Sequence, residues 1–507
     1  MWGIDPKQQL RLVLSRLDKF QEEIPWTDLS FIFKQAITIA RQVGYNYIWI
    51  DSLCIVQDSP RDWANEAGKM ADVYGLADCT IAYLFPPQDV LTKQRQDPKI
   101  WAPCVLRRPT SALRGVYIRS YQTRDKDGKI DIDRAYDRGK EDWSMDWLLP
   151  SDWPLFTRAW ACQEYLLSPR ILFVGHQNLM WECSELLCDE LLGPITSSRR
   201  ATASKTHFFA VKSSTPPATT VAAQLGFVNN WERIVCHYRA GLLTKPKDRI
   251  MAFAGIAQAV HTSSGMTYLA GSWAQMFPFS FTWSGCIASD ESTEVEAVVD
   301  AVPSWSWFSV PIFTPDTFEF NVTEHILGML DPSPMYQATL LSSENGSRQA
   351  SAHPSPTRTF HDFTGMTLNI AMKTWTSLLR DSGHPDVRHE RSIKDQFETL
   401  MGKHYGGLQC RFDHQDTARN HSDRTMTFGL LIENRTRRNP TYKDSLEEPI
   451  LVGLLMQPEP SREAYKRIGL WTLYLKRYPG EWDPDTLHLV PIFDQLRGVR
   501  SEHIRLV

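Results

Sequence analysis

Two side chains near the end of the first third of the chain are spaced so that they could act together. Trp160 and Glu164 lie four residues apart in a stretch predicted to be helical, so they share one face of that helix. One interpretation is chemical: a carboxylate beside an aromatic ring can stabilise developing positive charge or position an attacking group. The competing interpretation is structural: Glu164 pairs with Arg158, and Trp160 packs in the core. The spacing leaves both interpretations open.

Other polar side chains in the same part of the chain are candidates for binding or catalysis. Asp51 follows an apolar stretch, where it can either contact a ribose hydroxyl or cap the next turn. Gln57 can hydrogen-bond either a ligand or the backbone. Cys54 and Cys162 have no histidine in a recognisable partner position, which disfavours a thiol nucleophile. The sequence contains no standard phosphate-binding glycine loop, no Gly-x-Ser-x-Gly and no His-Glu-x-x-His.

Hydrophobic periodicity predicts the elements that position these side chains. The predicted order is helix 28–43, strand 47–50, helix 63–77, strand 79–84, helix 158–167 and strand 171–174. Strands alternating with helices favour an α/β N-terminal domain with a parallel sheet flanked by helices. In such a sheet the end of strand 47–50 brings Asp51 close to the helix that carries Glu164.

Composition divides the rest of the chain. Residues 1–195 are predicted to be the α/β domain, with a charged loop at 121–141. A Ser/Thr/Ala-rich linker at 196–225 and a Ser/Pro-rich loop at 341–360 enclose a helical and mixed region, 226–340, with a helix at 231–257. Residues 361–507 are predicted to be an α+β, partly antiparallel β region. Trp305 and Trp307 alternate at strand spacing and are predicted core residues.

Composition and charge restrict the compartment and the partners. The net charge of the 507 residues is -4, with no long basic run, so neither nucleic acid nor an anionic membrane is an expected partner. No stretch approaches the ~20 apolar residues of a membrane helix. The nine scattered cysteines indicate a reducing compartment and no metal site, and we expect a cytoplasmic protein. The 18 tryptophans predict an interior rich in indole rings.

A set of ordered motifs resembles the fungal heterokaryon incompatibility (HET) domain family. Residues 47–58, YIWIDSLCIVQD, are similar to its aromatic strand followed by Asp-x-Leu-Cys-Ile-x-Gln. The helix with Met70, Tyr74 and Ala77 and the run 158–164, RAWACQE, are similar to its next two signatures. Similarity to longer members of the family continues at 244–255, 269–273, 303–307 and 465–469.

This resemblance implies an effector of self and non-self recognition, allied to innate immunity, that triggers programmed cell death or growth arrest in fungal cells. Its partners would be other HET or sensor proteins and copies of itself. The alternative is a non-enzymatic scaffold for partner recognition. The family pattern opens with a strand of the type Leu-Ser-Tyr-x-Trp-Gly, whereas this chain opens Met1-Trp2-Gly3. We therefore expect the first strand to be missing and the edges of its neighbours to be exposed.

HET domains are distantly similar to Toll/interleukin-1 receptor (TIR) domains, which implies a TIR- or flavodoxin-like parallel sheet. Some TIR domains cleave NAD with a glutamate four residues after a tryptophan. The resemblance therefore implies that Glu164 is the catalytic carboxylate, with Trp160, Asp51 and Gln57 as ligand-binding residues. NAD would be a substrate, and no cofactor is expected. The resemblance is compatible both with a TIR-like NAD glycohydrolase and with a protein that is not an enzyme.

Overall fold

A computed structural model describes most of the chain, in two compact units comprising residues 1–206 and 207–507. The predicted charged loop at 121–141 and the expected loss of a first strand, at residues 1–9, lie outside the described residues. The described residues are 10–84, 104–107, 116–118, 154–174, 179–189, 193–194, 204–214, 221–285, 302–310, 318–320, 335–336, 338–344, 360, 362–378, 393–401, 405–413, 425–433, 447–459, 461, 463–476 and 499–507.

Two helices of the first unit begin where a side chain or a proline favours a helix start. The Ser30 hydroxyl accepts a hydrogen bond from the Phe33 amide, and Ser59 does the same for Asp62. Pro60 then occupies the first helical position. These caps explain why the helix predicted at 28–43 begins three residues later. The helices are α1 (Leu17–Glu22), α2 (Phe31–Gln42), α3 (Asp51–Cys54), α4 (Pro60–Leu76) and α5 (Ala159–Leu167).

A small mixed sheet lies beside these helices. Its strands are β1 (Thr80–Tyr83), β4 (Arg170–Val174), β5 (Leu179–Cys183), β6 (Leu187–Asp189) and β7 (Gly193–Pro194), with β2 (Cys104–Arg107) and β3 (Val116–Ile118) as a separate antiparallel pair. The strand order is β1-β4-β5-β6-β7. Only β1 and β4 run parallel, and the later pairs are antiparallel. The predicted strands 79–84 and 171–174 are therefore confirmed, whereas the expected parallel, TIR-like sheet is not, because the described sheet is mixed.

The prediction of a buried strand at 47–50 is wrong. This segment is extended at Ile50, but no described strand pairs with it. Tyr47 is 94 % exposed and Ile48 is also exposed, so neither face is buried as a central strand requires. A strand needs a partner for its backbone groups, and the β-forming residue types of this run do not supply one.

The next helices lie partly where composition predicted a linker. Helix α6 (Ser204–Lys212) spans the boundary after residue 206, and α7 (Val221–Arg239) and α8 (Met251–Ser264) belong to the second unit. Helix α6 and the start of α7 lie in the predicted linker 196–225. The single helix predicted at 231–257 is interrupted, because the chain turns at residues 240–241 and Pro246 opens a short 3-10 turn.

An antiparallel sheet dominates the rest of this unit, as predicted. Its eight strands are β12 (Met335–Tyr336), β13 (Ala338–Glu344), β14 (Thr367–Leu378), β15 (Tyr405–Phe412), β16 (Thr425–Glu433), β17 (Glu447–Glu459), β18 (Ala464–Lys476) and β19 (Ser501–Leu506), with α9 (Ile393–Met401) beside them. The strand order is β12-β16-β17-β18-β19-β14-β13, with β15 paired to β18. Strand β14 pairs with both β19 and β16, so the sheet closes on itself. Two small pairs are β8 (Tyr268–Leu269) with β9 (Ser272–Trp273), and β10 (Trp283–Gly285) with β11 (Phe318–Phe320).

Indole rings fill the interior of the second unit around one glycine. The rings of Trp231 and Trp273 meet edge to face at 5.2 Å. The Gly271 carbonyl accepts hydrogen bonds from the indole N–H of Trp231 at 2.9 Å and of Trp307 at 2.8 Å. Trp305 and Trp307 are fully buried, as predicted for core residues, but they lie in a turn and a 3-10 turn. The strand inferred from their alternation is therefore wrong.

A buried ion pair joins distant parts of the same unit. The guanidinium of Arg467 donates to both carboxylate oxygens of Asp413, from Nε at 3.0 Å and from Nη2 at 3.3 Å. It also donates to the carbonyls of Phe281 and Trp283 and lies 3.4 Å from the centroid of the Trp283 ring. Because both charged side chains are nearly inaccessible, all of their polar partners come from the protein.

A buried lysine in the first turn of α6 is expected to reduce stability. Lys205 is 1 % exposed, its Nζ lies 5.0 Å from the centroid of the Tyr165 ring, and no described group forms a hydrogen bond with Nζ. Burial lowers the pKa of Lys205 to about 8, although the carboxylate of Glu182 opposes this shift. The unfolded chain therefore binds more protons between about pH 8 and pH 10.5, so stability rises with pH over that window.

Replacing Lys205 by methionine should raise the free energy of unfolding at pH 7 by about 2 kcal/mol, because the penalty of burying the ammonium disappears. Denaturant unfolding at pH 7 and pH 10 measures both the gain and the loss of its pH dependence. Lys212→Met, at an exposed position of the same helix, should change little. A destabilised Lys205→Met would show instead that contact with Tyr165 and Glu182 outweighs burial.

No helix within the described ranges is both long and apolar enough to cross a membrane.

Candidate functional site

A cavity of about 780 Å³ opens in the first unit, beside the segment that precedes α3. Its walls come from α2, residues 45–51, the end of α4, β1, α5 and β4. Aliphatic and aromatic side chains form most of the lining, and a few ionisable groups lie among them. A concave apolar site of this volume with a few polar groups is typical of small-molecule binding.

Glu164 lines this cavity from α5. The Tyr74 hydroxyl donates a hydrogen bond to the Glu164 carboxylate, and the guanidinium of Arg158 attracts it. Burial raises the pKa of Glu164, and the negative charge of Asp51 raises it further, while Arg158 and Tyr74 oppose this effect. The ion-pair interpretation of Arg158 and Glu164 and the ligand interpretation of Glu164 are therefore compatible, because both side chains line the same cavity.

Asp51 lies at the start of α3 and lines the same cavity. Its Oδ1 accepts a hydrogen bond from the backbone amide of Ser52 at 2.7 Å, which fixes the orientation of the carboxylate. Asp51 and Glu164 both line this cavity, and the negative charge of Asp51 raises the pKa of Glu164. The structure thus brings together the two acidic residues that sequence reasoning selected, although the strand expected to position Asp51 is absent.

An aromatic pair that the sequence analysis did not select adjoins the carboxylates. The rings of Trp49 and Tyr74 meet edge to face, with 5.9 Å between centroids and 75° between planes, and both line the cavity. Tyr74 belongs to the α4 signature and Trp49 to the segment before Asp51. Their place in those motifs was the available signal, but the direction of each side chain depends on tertiary packing.

Trp160 and Gln57 have other contacts. Trp160 meets Trp63 edge to face at 6.4 Å, and it is not among the described residues that line the cavity. The Gln57 amide donates from Nε2 to the carbonyls of Asp51 at 3.1 Å and Ile55 at 3.0 Å, which closes the turn around α3. Of the alternatives left open by the sequence, the packing role fits Trp160 and the backbone role fits Gln57.

The two cysteines considered as nucleophiles do not have the environment of a reactive thiolate. Burial raises the pKa of Cys162, which is almost inaccessible on α5. Desolvation also raises the pKa of Cys54, although its side chain is partly open to solvent. A raised pKa leaves less of the nucleophilic thiolate at neutral pH.

Comparison with known proteins supports the family resemblance. The family model described as Heterokaryon incompatibility protein (HET) matches residues 1–164, which confirms the resemblance inferred from the motifs. The matched segment includes Trp49, Asp51, Tyr74, Arg158 and Glu164. No curated protein and no solved structure matches the chain. This match suggests a role in heterokaryon incompatibility.

Proposed function

We propose, because residues 1–164 match the family model of heterokaryon incompatibility proteins, that this chain is an effector of fungal allorecognition that kills the cell by cleaving NAD. The observation that supports the chemistry is the cavity into which Glu164 and Asp51 both project beside Trp49 and Tyr74. Self-association or a sensor partner would bring the domains together and activate them.

The proposed reaction is hydrolysis of the N-glycosidic bond of NAD. The bond between the ribose C1′ and the pyridinium nitrogen breaks, and nicotinamide leaves with the bonding electron pair. The oxygen of water forms the new bond to C1′, and the water proton is released, which gives ADP-ribose. The carboxylate of Glu164 would stabilise the positive charge that develops on the ribose. Tyr74 and Arg158 hold that carboxylate in place and favour its ionised form.

Glu164→Gln should lower NAD turnover by at least about 100-fold, because the amide keeps the shape but removes the charge that stabilises the transition state. The measurement is nicotinamide release by the full chain at concentrations that promote assembly. Glu185→Gln is the matched control, since Glu185 is exposed in the same unit and does not line the cavity. Unchanged turnover in Glu164→Gln would overturn the catalytic assignment.

Expression in a fungal host separates the effector from the non-enzymatic scaffold. An effector that depletes NAD should arrest growth, and Glu164→Gln should relieve that arrest while Glu185→Gln does not. A scaffold should be tolerated by the host in all three forms. Arrest that persists in Glu164→Gln would indicate an effector that acts without cleaving NAD.

A further inference from the structure

The ionisable groups around the cavity are mostly acidic. Within the part of the chain that the structure describes, the carboxyl groups of Asp51, Asp72, Asp78 and Glu164 line it, and Arg158 is its single cationic side chain. Asp72 and Asp78 are exposed, whereas Asp51 and Glu164 are partly buried. An acidic lining in a largely apolar cavity creates a potential that attracts a cation and repels an anion.

The aromatic pair gives this potential a specific recognition surface. The Tyr74 hydroxyl is bonded to Glu164, and the Tyr74 ring contacts Trp49, so carboxylate and rings form one connected group. The face of a tryptophan ring attracts cations, and this attraction strengthens when water is excluded. A flat cation could therefore lie against an indole ring with a carboxylate beside it.

The cavity offers few groups that could bind the anionic diphosphate of a dinucleotide. Diphosphates are usually bound by several Arg or Lys side chains or by backbone amides at the N-terminus of a helix. Here Arg158 is shared with Glu164, and no lysine is found among the described lining residues. The affinity for a dinucleotide should thus come mainly from its nicotinamide end.

We propose that the cavity selects an N-substituted pyridinium cation, with Trp49 and Asp51 as the residues that recognise its charge. This inference rests on the proposed function and extends it to substrate class. The oxidised dinucleotide carries this cation, whereas the reduced dinucleotide carries a neutral dihydropyridine ring and is rejected. The diphosphate and the adenosine contribute little to the selection.

The test is calorimetric titration of the full chain with 1-methylnicotinamide, a cation, and with nicotinamide, its neutral counterpart of nearly the same shape. The cation should bind at least about 10-fold more tightly, as expected for a cation over a partly desolvated ring and near a carboxylate. Asp51→Asn, which keeps the shape and the acceptor for the Ser52 amide, should remove most of this preference. Trp49→Leu should weaken binding of the cation more than binding of nicotinamide.

Asp28→Asn is the matched control, because Asp28 is exposed in the same unit and does not line the cavity. Equal affinity for the two probes, absence of binding by the cation, or an unchanged preference in Asp51→Asn would each overturn the inference. These outcomes are separate from the turnover test. Cleavage of NAD without a preference for the cation would remove only the inference, whereas binding of the cation without cleavage would remove only the catalytic proposal.

Discussion

Arg467→Met should lower the free energy of unfolding of residues 207–507 by about 4 kcal/mol, within the range measured when one partner of a buried ion pair is removed. The methionine leaves the carboxylate of Asp413 in the interior without its bidentate partner. It also leaves the carbonyls of Phe281 and Trp283 without the donors that Arg467 supplies. Thermal unfolding of the full chain followed by tryptophan fluorescence reports this loss, because indole rings fill this unit.

A second substitution identifies the cause of the loss. Arg467→Met combined with Asp413→Asn should be more stable than Arg467→Met alone, since the remaining carboxylate is no longer charged. Lys466→Ala, at the exposed neighbouring position, should change the free energy of unfolding by less than about 0.5 kcal/mol. If Arg467→Met unfolds like the parent chain, the ion pair is not a determinant of this fold.

Gly271→Ala should lower the free energy of unfolding by at least about 3 kcal/mol, because backbone strain and a steric clash would occur at the same residue. Gly271 has a φ of +102°, a conformation that side chains with a Cβ rarely adopt. A Cβ there would overlap Nε1 of Trp307, and that ring is fully buried. Any displacement also disturbs the two indole hydrogen bonds to the Gly271 carbonyl. The measurement is again fluorescence-detected unfolding.

Substitutions at two other glycines separate the effect of backbone strain from that of the steric clash. Gly44 also has a positive φ, of +90°, but an added Cβ meets nothing within 4 Å, so Gly44→Ala tests backbone strain alone. Gly226 lies inside α7 with open space around it, and Gly226→Ala should stabilise the helix by about 0.5–1 kcal/mol. A Gly271→Ala variant no less stable than Gly44→Ala would mean that the Trp307 ring adjusts without cost.

Elements with a strong local signal were predictable from the sequence. Helices α2 and α4 carry both helical periodicity and a capping serine, and β1 and β4 are short apolar runs bounded by turn residues. The segment 47–50 and the Trp305–Trp307 alternation have strand-like residues too. They form no strand, because strand formation depends on a partner elsewhere in the chain, and residue type does not specify that partner.

The acidic residues of the candidate site were predictable from the sequence, but its tryptophan was not. The motifs selected Asp51 and Glu164, and the structure places both on one cavity. They also selected Trp160, but Trp160 packs against Trp63. The tryptophan that lines the cavity with the two carboxylates is Trp49, which contacts Tyr74. Helical spacing shows which residues share a face, but only the packing of α5 against its neighbours decides which of them reaches the cavity.

The closure of the large sheet has a consequence for local opening of the protein. Strand β19 joins β14 along six residue pairs and also touches β18 at Tyr465. When β19 detaches, the backbone groups of β14 on that side lose their partners and an open strand edge forms. Open edges pair with strands of other chains, so detachment of β19 is the step at which copies of this protein should aggregate.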